Sequence, residues 1–195
     1  DAGELGWTLG ANLFYSNFDQ SAFLDITGFF SGTFLSGIET QSYDAFAALS
    51  APLAEWLKID GELRYTYEKE RFDGGFVSGP NAQFPFQNQQ KQSEKFDFLT
   101  WRLAATATLS ETVSAYATYA RGAKAGGFSF FDTDLALVPG IAVDQFNTAR
   151  TDSYEIGLKA SLFDGRLAFN TAAFFNDTDN EQLSAFDFAT FTASI

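Results

Sequence analysis

The sequence predicts an all-β protein, an antiparallel up-and-down meander that forms part of the wall of a membrane-crossing β-barrel. Three observations predict it. Apolar and polar residues alternate with period two in successive runs of about ten residues, the length of a tilted strand crossing a bilayer. Short connections alternate with long ones rich in Gly, Asn, Gln and Ser, as in barrels with tight turns at one rim and long loops at the other. No apolar run approaches the ~18–20 residues of a membrane helix. The mean hydropathy of −0.09 would suit a soluble chain, but only every second residue of a barrel strand faces lipid, so periodicity decides where hydropathy does not.

In order, residues 6–16 alternate Trp7, Leu9, Ala11, Leu13 and Tyr15 against Thr8, Gly10, Asn12, Phe14 and Ser16. Aromatics at both ends of the apolar row suit the two interfacial girdles of a barrel. Residues 17–40, with Gly28, Gly32 and Gly37, are expected to form a long loop. Residues 42–50 form the next strand, and Pro52, which cannot donate to a ladder, is expected to break it. Residues 57–68 set Leu57, Ile59, Gly61, Leu63, Tyr65 and Tyr67 against Lys58, Asp60, Glu62, Arg64, Thr66 and Glu68, an apolar row opposite a lumen row. Residues 69–94 carry little periodicity and are expected to form a second long loop.

Residues 96–109 resume the alternation, with Trp101, Leu103 and Ala105 opposite Thr100, Arg102 and Ala104. A tight turn at Ser110-Glu111-Thr112 leads into a strand over 113–121, whose faces the pattern leaves open because Tyr116 and Tyr119 fall on opposite sides. Residues 123–149 are expected to form the third long loop. Residues 153–162 and 167–176 then make a hairpin about Asp164-Gly165, since a type I′ turn needs φ > 0 twice. A two-residue turn there places Leu162 opposite Leu167, Ala160 opposite Phe169, Leu158 opposite Thr171, Ile156 opposite Ala173 and Tyr154 opposite Phe175. Residues 177–184 are expected to extend that last strand, and 186–195 to be a loop or the start of another. The total is about seven strands with two raw edges. Arg102, the one cation of its inward row, is expected beside Glu62 or Asp60.

Composition narrows the function. With 195 residues, 24 of them Phe, and a formal charge of −13, the chain offers no basic surface for nucleic acid. It has no His and no Cys, which removes Ser-His catalysis, thiolate chemistry and the commonest zinc ligand. The run Gly122-Ala-Lys-Ala-Gly-Gly127 lacks the Gly-Lys-Ser/Thr ending of a phosphate loop. Asp177-Thr-Asp179-Asn-Glu181 lacks the turn Gly of a calcium loop and suits a solvated strand end. No catalytic constellation, metal site or cofactor is expected, so the protein is not expected to be an enzyme. With no leader and no initiating Met, the chain is expected to be a piece of a longer protein.

Three segments carry a family resemblance. Residues 154–177, YEIGLKASLFDGRLAFNTAAFFND, resemble the barrel signature of TonB-dependent outer-membrane receptors, Tyr-Glu-x-Gly-x-Lys, a short turn, and a strand ending in aromatic-Asn-Asp. Tyr116-Ala-Thr-Tyr-Ala-Arg-Gly-Ala-Lys-Ala-Gly-Gly-Phe128 resembles the family's Tyr-Ala-x-Tyr-x-x-Gly-x-x-x-Gly-Gly-Phe segment. Gly61-Glu-Leu-Arg-Tyr65 resembles its Gly-x-Arg-Tyr strand with one extra residue. The resemblance covers most of the chain, more loosely before residue 40. It implies the outer membrane of a Gram-negative bacterium and a barrel of about 22 strands closed around a plug. The whole chain would then be one part of that barrel domain, with the plug and the remaining strands lying elsewhere in the protein. The implied activity is uptake of an iron–siderophore complex or another scarce nutrient, energised by TonB through the plug. The partners are outer-membrane lipid, the nutrient ligand and TonB. Ligand contacts would come from the long loops, where Phe84, Phe86 and Gln87, and Phe128, Phe130 and Phe131, mix rings with amides and glycines. Two alternatives stay open, a passive porin and a soluble all-β binding module such as a lectin.

Overall fold

The computed structural model describes residues 4–26, 30–79, 87–129, 142–183, 185–187 and 192–194, and these contain strands and turns with no helix. The strands are β1 (Gly6–Ile26), β2 (Phe30–Ala54), β3 (Leu57–Ser78), β4 (Gln87–Ser110), β5 (Val113–Lys124), β6 (Gly127–Phe128), β7 (Gln145–Phe146), β8 (Ala149–Leu162), β9 (Leu167–Asp179), β10 (Ala185–Asp187) and β11 (Thr192–Ser194). One seven-stranded sheet runs β1-β2-β3-β4-β5-β8-β9, every neighbour antiparallel, and it does not close on itself. The expected meander of seven strands with two open edges is what forms.

The register fixes the faces, because residues directly opposite in a ladder share one. One face, here the outer, carries Trp7, Leu9 and Leu13 of β1 and continues through Ala47 and Leu49, Leu63 and Tyr65, Trp101 and Leu103, Ala117 and Tyr119, Tyr154 and Ile156, to Phe175 of β9. Most of its large apolar side chains stand exposed, Leu13 by 76%, while Trp101 and Tyr119 are half-buried. A contiguous apolar wall of this size calls for a non-aqueous neighbour. The inner face carries the polar row. Tyr119 is outer and Tyr116 inner, which settles the strand whose faces the pattern left open.

At one rim the connections are tight, at residues 55–56, 111–112 and 163–166. The last turn pairs all five residue couples expected of it, from Leu162↔Leu167 to Tyr154↔Phe175. Asp164 and Gly165 stand at φ 55° and 82°, the type I′ signature, and the Arg166 amide donates to the Phe163 carbonyl at 3.2 Å. Phe163 also stands at φ 53°, so the ladder stops one pair early and the connection spans four residues.

Three expectations are corrected, two at the opposite rim and one beside the tight turn at residues 55–56. Residues 17–26 and 30–40 are strand rather than loop, for β1 and β2 stay paired from Gly6↔Ser50 to Ile26↔Phe30. Most of 69–94 is likewise strand, with β3 and β4 paired out to Val77↔Gln87. Pro52 does not end β2 either; it lies opposite Lys58, and a register shift follows it before Ala54. The 25 residues of β2 reach about 80 Å along the strand at ~3.3 Å per residue, far beyond a ~30 Å hydrocarbon core.

The reason these extensions escape a period-two reading is that the alternation changes phase. Around Tyr43 and Tyr67 the outer row turns from apolar to polar and charged, as Gln41, Glu39, Lys69, Arg71, Asp73, Lys95 and Lys91. The inner row turns apolar beyond the same place, with Ile38, Phe34, Phe72 and Phe76. In water the buried side of a ribbon must be the other one.

Candidate functional site

Four aromatic side chains gather the site at the extended rim. Phe34 and Phe76 stand opposite each other on β2 and β3 with ring centres 5.1 Å apart. Phe72 meets Phe128 at 5.6 Å. With Val143 they form the buried core of the described residues, and Ile38 packs against it. Phe128 reaches this cluster because β6 and β7 pair as a two-residue ribbon, Gly127↔Phe146 and Phe128↔Gln145, which lies with Val143 against the inner face. The Ser129 amide donates to the Asp144 carbonyl at 2.8 Å and holds that ribbon shut.

Beside the rings runs a ladder of amides. Asn88, Gln90 and Gln92 occupy alternate positions of β4, so all three point inward. Gln92 donates to Gln90 Oε1 at 2.8 Å and Gln90 donates to Asn88 Oδ1 at 3.2 Å. The folded-over segment joins the ladder, as the Val143 amide donates to Gln90 Oε1 at 3.1 Å and Gln145 Nε2 to Gln92 Oε1 at 2.7 Å. Beyond β9, Gln182 Nε2 donates to the carbonyls of Ala125 and Asn147 at 2.9 and 3.1 Å, clamping both ends of the connection. This ladder was missed from the sequence; its signal is the amide at every second residue of Asn88-Gln89-Gln90-Lys91-Gln92.

Glu70 lies under the same segment, buried on the inner face opposite Thr40 and Glu94. Burial pushes its carboxyl up to about 7, the backbone amide of Phe128 pulls the other way by hydrogen bonding, and the charge of Glu68 adds to the rise. Burial also raises Glu68, against a hydrogen bond from Ser42.

Toward the tight rim, ion pairs line the inner face. Asp44, almost fully buried, accepts from Arg64 Nε at 2.9 Å and Nη2 at 2.7 Å, and from Asn12 at 3.3 Å. Arg102 lies opposite Glu62 and donates to it at 3.2 Å, the pairing expected of it. The motif residues meet further along. Tyr116 lies across Gly157, its hydroxyl donates to Glu155, and the Lys159 ammonium sits 5.4 Å from its ring centre.

Of the six residues singled out as ligand contacts, Phe84, Phe86, Phe130 and Phe131 lie outside the described residues. Gln87 is exposed on the outer row, opposite Val77. Phe128 is buried in the aromatic cluster. Among the described residues no group of three His, Cys, Asp or Glu could hold a metal ion. The rings are buried against one another and the amides are bonded within the ladder and to Val143 and Gln145, so the arrangement holds these residues firmly against the inner face.

The family model described as a TonB-dependent receptor-like β-barrel matches residues 1–194. Among solved structures, the chain is similar to the ferric yersiniabactin uptake receptor FyuA of Yersinia pestis, at 20% identity and a TM-score of 0.74 over 94% of this chain. It is also similar to the open form of the ferric-catecholate import receptor Fiu of E. coli K12, at 14% identity and a TM-score of 0.60 over 90% of this chain. At these identities the likeness is one of fold. The chain spans 27% of the first structure and 28% of the second. No curated protein matches it.

Proposed function

Because the chain belongs to the TonB-dependent receptor β-barrel family, we propose that it is a stretch of the barrel wall of an outer-membrane receptor that imports a scarce nutrient, an iron–siderophore complex by preference. The inversion of the alternation at Tyr43 and Tyr67 carries the proposal. Between that row and the tight turns the outer face is apolar, as a lipid-facing wall must be. Beyond it the outer face is charged, as a surface in water must be, while the inner face buries rings and amides that dock the residues around Phe128 and Val143 over the transport path. The solved neighbours are named as uptake receptors for ferric yersiniabactin and ferric catecholates, which supports iron chelates as the ligand class.

In this reading the whole chain is part of one barrel domain. The plug and the other strands come from the rest of the protein, and TonB acts through the plug. The wall contributes shape, charge and ligand contacts, and no bond is made or broken by its residues. Phe84, Phe86, Gln87, Phe128, Phe130 and Phe131 are the proposed ligand contacts on this part of the wall.

The test replaces residues 79–86 and, separately, 125–148 by Gly-Ser connectors in the full-length receptor. Loss of ferric-siderophore uptake with normal barrel assembly is expected of the second replacement. Unchanged binding and uptake from both would reduce these segments to packing.

A further inference from the structure

Two lysines face each other on the outer face without an ion-pair partner among the described residues. Lys69 of β3 lies directly opposite Lys95 of β4, and like charges so placed repel. The other cations of this stretch are matched, Arg71 with Glu39 at 2.9 Å and Lys91 with Asp73 at 2.6 Å. Further along the sheet Arg121 pairs with Asp152 and lies 4.6 Å from the centre of the Trp101 ring. Among the described residues neither lysine makes an ion pair, and Asp97, two residues along β4, pairs with neither.

Their height is the second observation. Lys69 stands two residues beyond Tyr67, which meets Tyr43 at 6.5 Å between ring centres in the row where the apolar wall ends. Tyrosines in such a row sit at headgroup level. Two residues of strand rise about 6–7 Å, and the headgroup layer of a bilayer is ~5–8 Å deep on each side. The ammonium groups therefore project outward where lipid phosphates lie. Gln41, opposite Lys69 on β2, borders them with an amide.

We propose that Lys69 and Lys95, opposed on the outer face just beyond the tyrosine row, bind the phosphate group of a membrane-lipid headgroup. The proposal rests on the membrane placement given above. A phosphate bridging the two turns their repulsion into two charge-assisted contacts, so the receptor selects phosphorylated lipid along this stretch of its perimeter.

The experiment titrates the full-length receptor in detergent with dioleoyl phosphatidic acid or dioleoyl phosphatidylcholine and counts bound lipid by native mass spectrometry. At least a fivefold preference for phosphatidic acid is expected, falling at least threefold in Lys69→Gln/Lys95→Gln. Lys69→Arg/Lys95→Arg should keep the preference, and so should Lys91→Gln, whose lysine is already paired. If the double glutamine variant does not fold, each single variant should show about half the loss. An undiminished preference in the glutamine variants would overturn the proposal, as would full displacement of the lipid by millimolar inorganic phosphate, which would make free phosphate the occupant. A wild-type receptor with no heat-modifiable barrel band would instead overturn the membrane placement.

Discussion

Gly157 shows what the family motifs do physically. A Cβ added there would lie 2.4 Å from the Tyr116 ring, so only glycine lets the ring cross the strand, donate to Glu155 and receive Lys159. On the other face Tyr119 stacks on Tyr154 at 4.8 Å and 12°. Two motifs that look independent in sequence are thus one cross-strand contact made on both faces. Gly157→Ala should cost about 1–3 kcal/mol through overpacking, and should cost markedly less in a Tyr116→Ala background. Urea unfolding of the full receptor in vesicles reads both; equal costs in the two backgrounds would separate the motifs again. Glu70 supplies a pH dependence. Its carboxyl, raised from 4.5 to about 7 beneath the folded segment, holds its proton more tightly when covered than when exposed. The covered state is therefore fully favoured below about 4.5 and loses stability as pH rises through about 7. Hydrogen exchange at 125–129, corrected for its intrinsic rate, should show more protection at pH 5 than at pH 8, and Glu70→Gln should flatten the difference. A pH response surviving in that variant would assign it to another group.

The strands divide into a stretch legible from sequence and one that was not. Between the tight turns and the tyrosine row, lipid on one side and an ion-paired wall on the other force strict alternation, and there the faces, the Asp164-Gly165 register and the Glu62–Arg102 pair could all be read. Past Tyr67 neither side of β3 meets hydrocarbon, charge moves to the outer row and Phe72 and Phe76 move to the inner. The change of phase, with Gly74 and Gly75 inside it, imitates a loop. The site followed the same division. Phe128 was singled out because a ring among glycines suggests a contact, but the amides of Asn88, Gln90 and Gln92 acquire meaning only once their segment is known to be a strand. The lipid-facing stretch makes the sharper prediction. Leu158 lies midway between the Tyr154 row and the turn after Leu162. Leu158→Arg should therefore cost ~2–4 kcal/mol in the full receptor, and Ser161→Arg, on the inner face, distinctly less. Folded barrel yield in membranes decides; equal tolerance would reverse the faces.

At the scale of the molecule the sheet is a wall with two unfinished edges, β1 and β9. Each edge strand turns half its backbone groups away from its single neighbour. Over residues 6–16 of β1, where Trp7, Leu9 and Leu13 mark hydrocarbon depth, that leaves on the order of ten N–H and C=O groups without partners. Each costs several kcal/mol in a bilayer core, so an open seven-stranded sheet in lipid would carry a penalty on the order of tens of kcal/mol. Among the described residues no contact offsets it, because β1 and β9 lie at opposite ends of the strand order. Closure with further strands removes the penalty, and that is the state the outer face is built for. Residues 1–195 expressed alone should consequently fail to insert as a monomer and should associate through these edges. In detergent, size-exclusion chromatography with light scattering should show oligomers or aggregates that retain β-sheet circular dichroism and lack a heat-modifiable band, while the full receptor gives a monomeric, heat-modifiable barrel. A monodisperse, heat-modifiable monomer from the short chain would mean that the seven strands can close on themselves, and the wall would have to be redrawn as a small barrel.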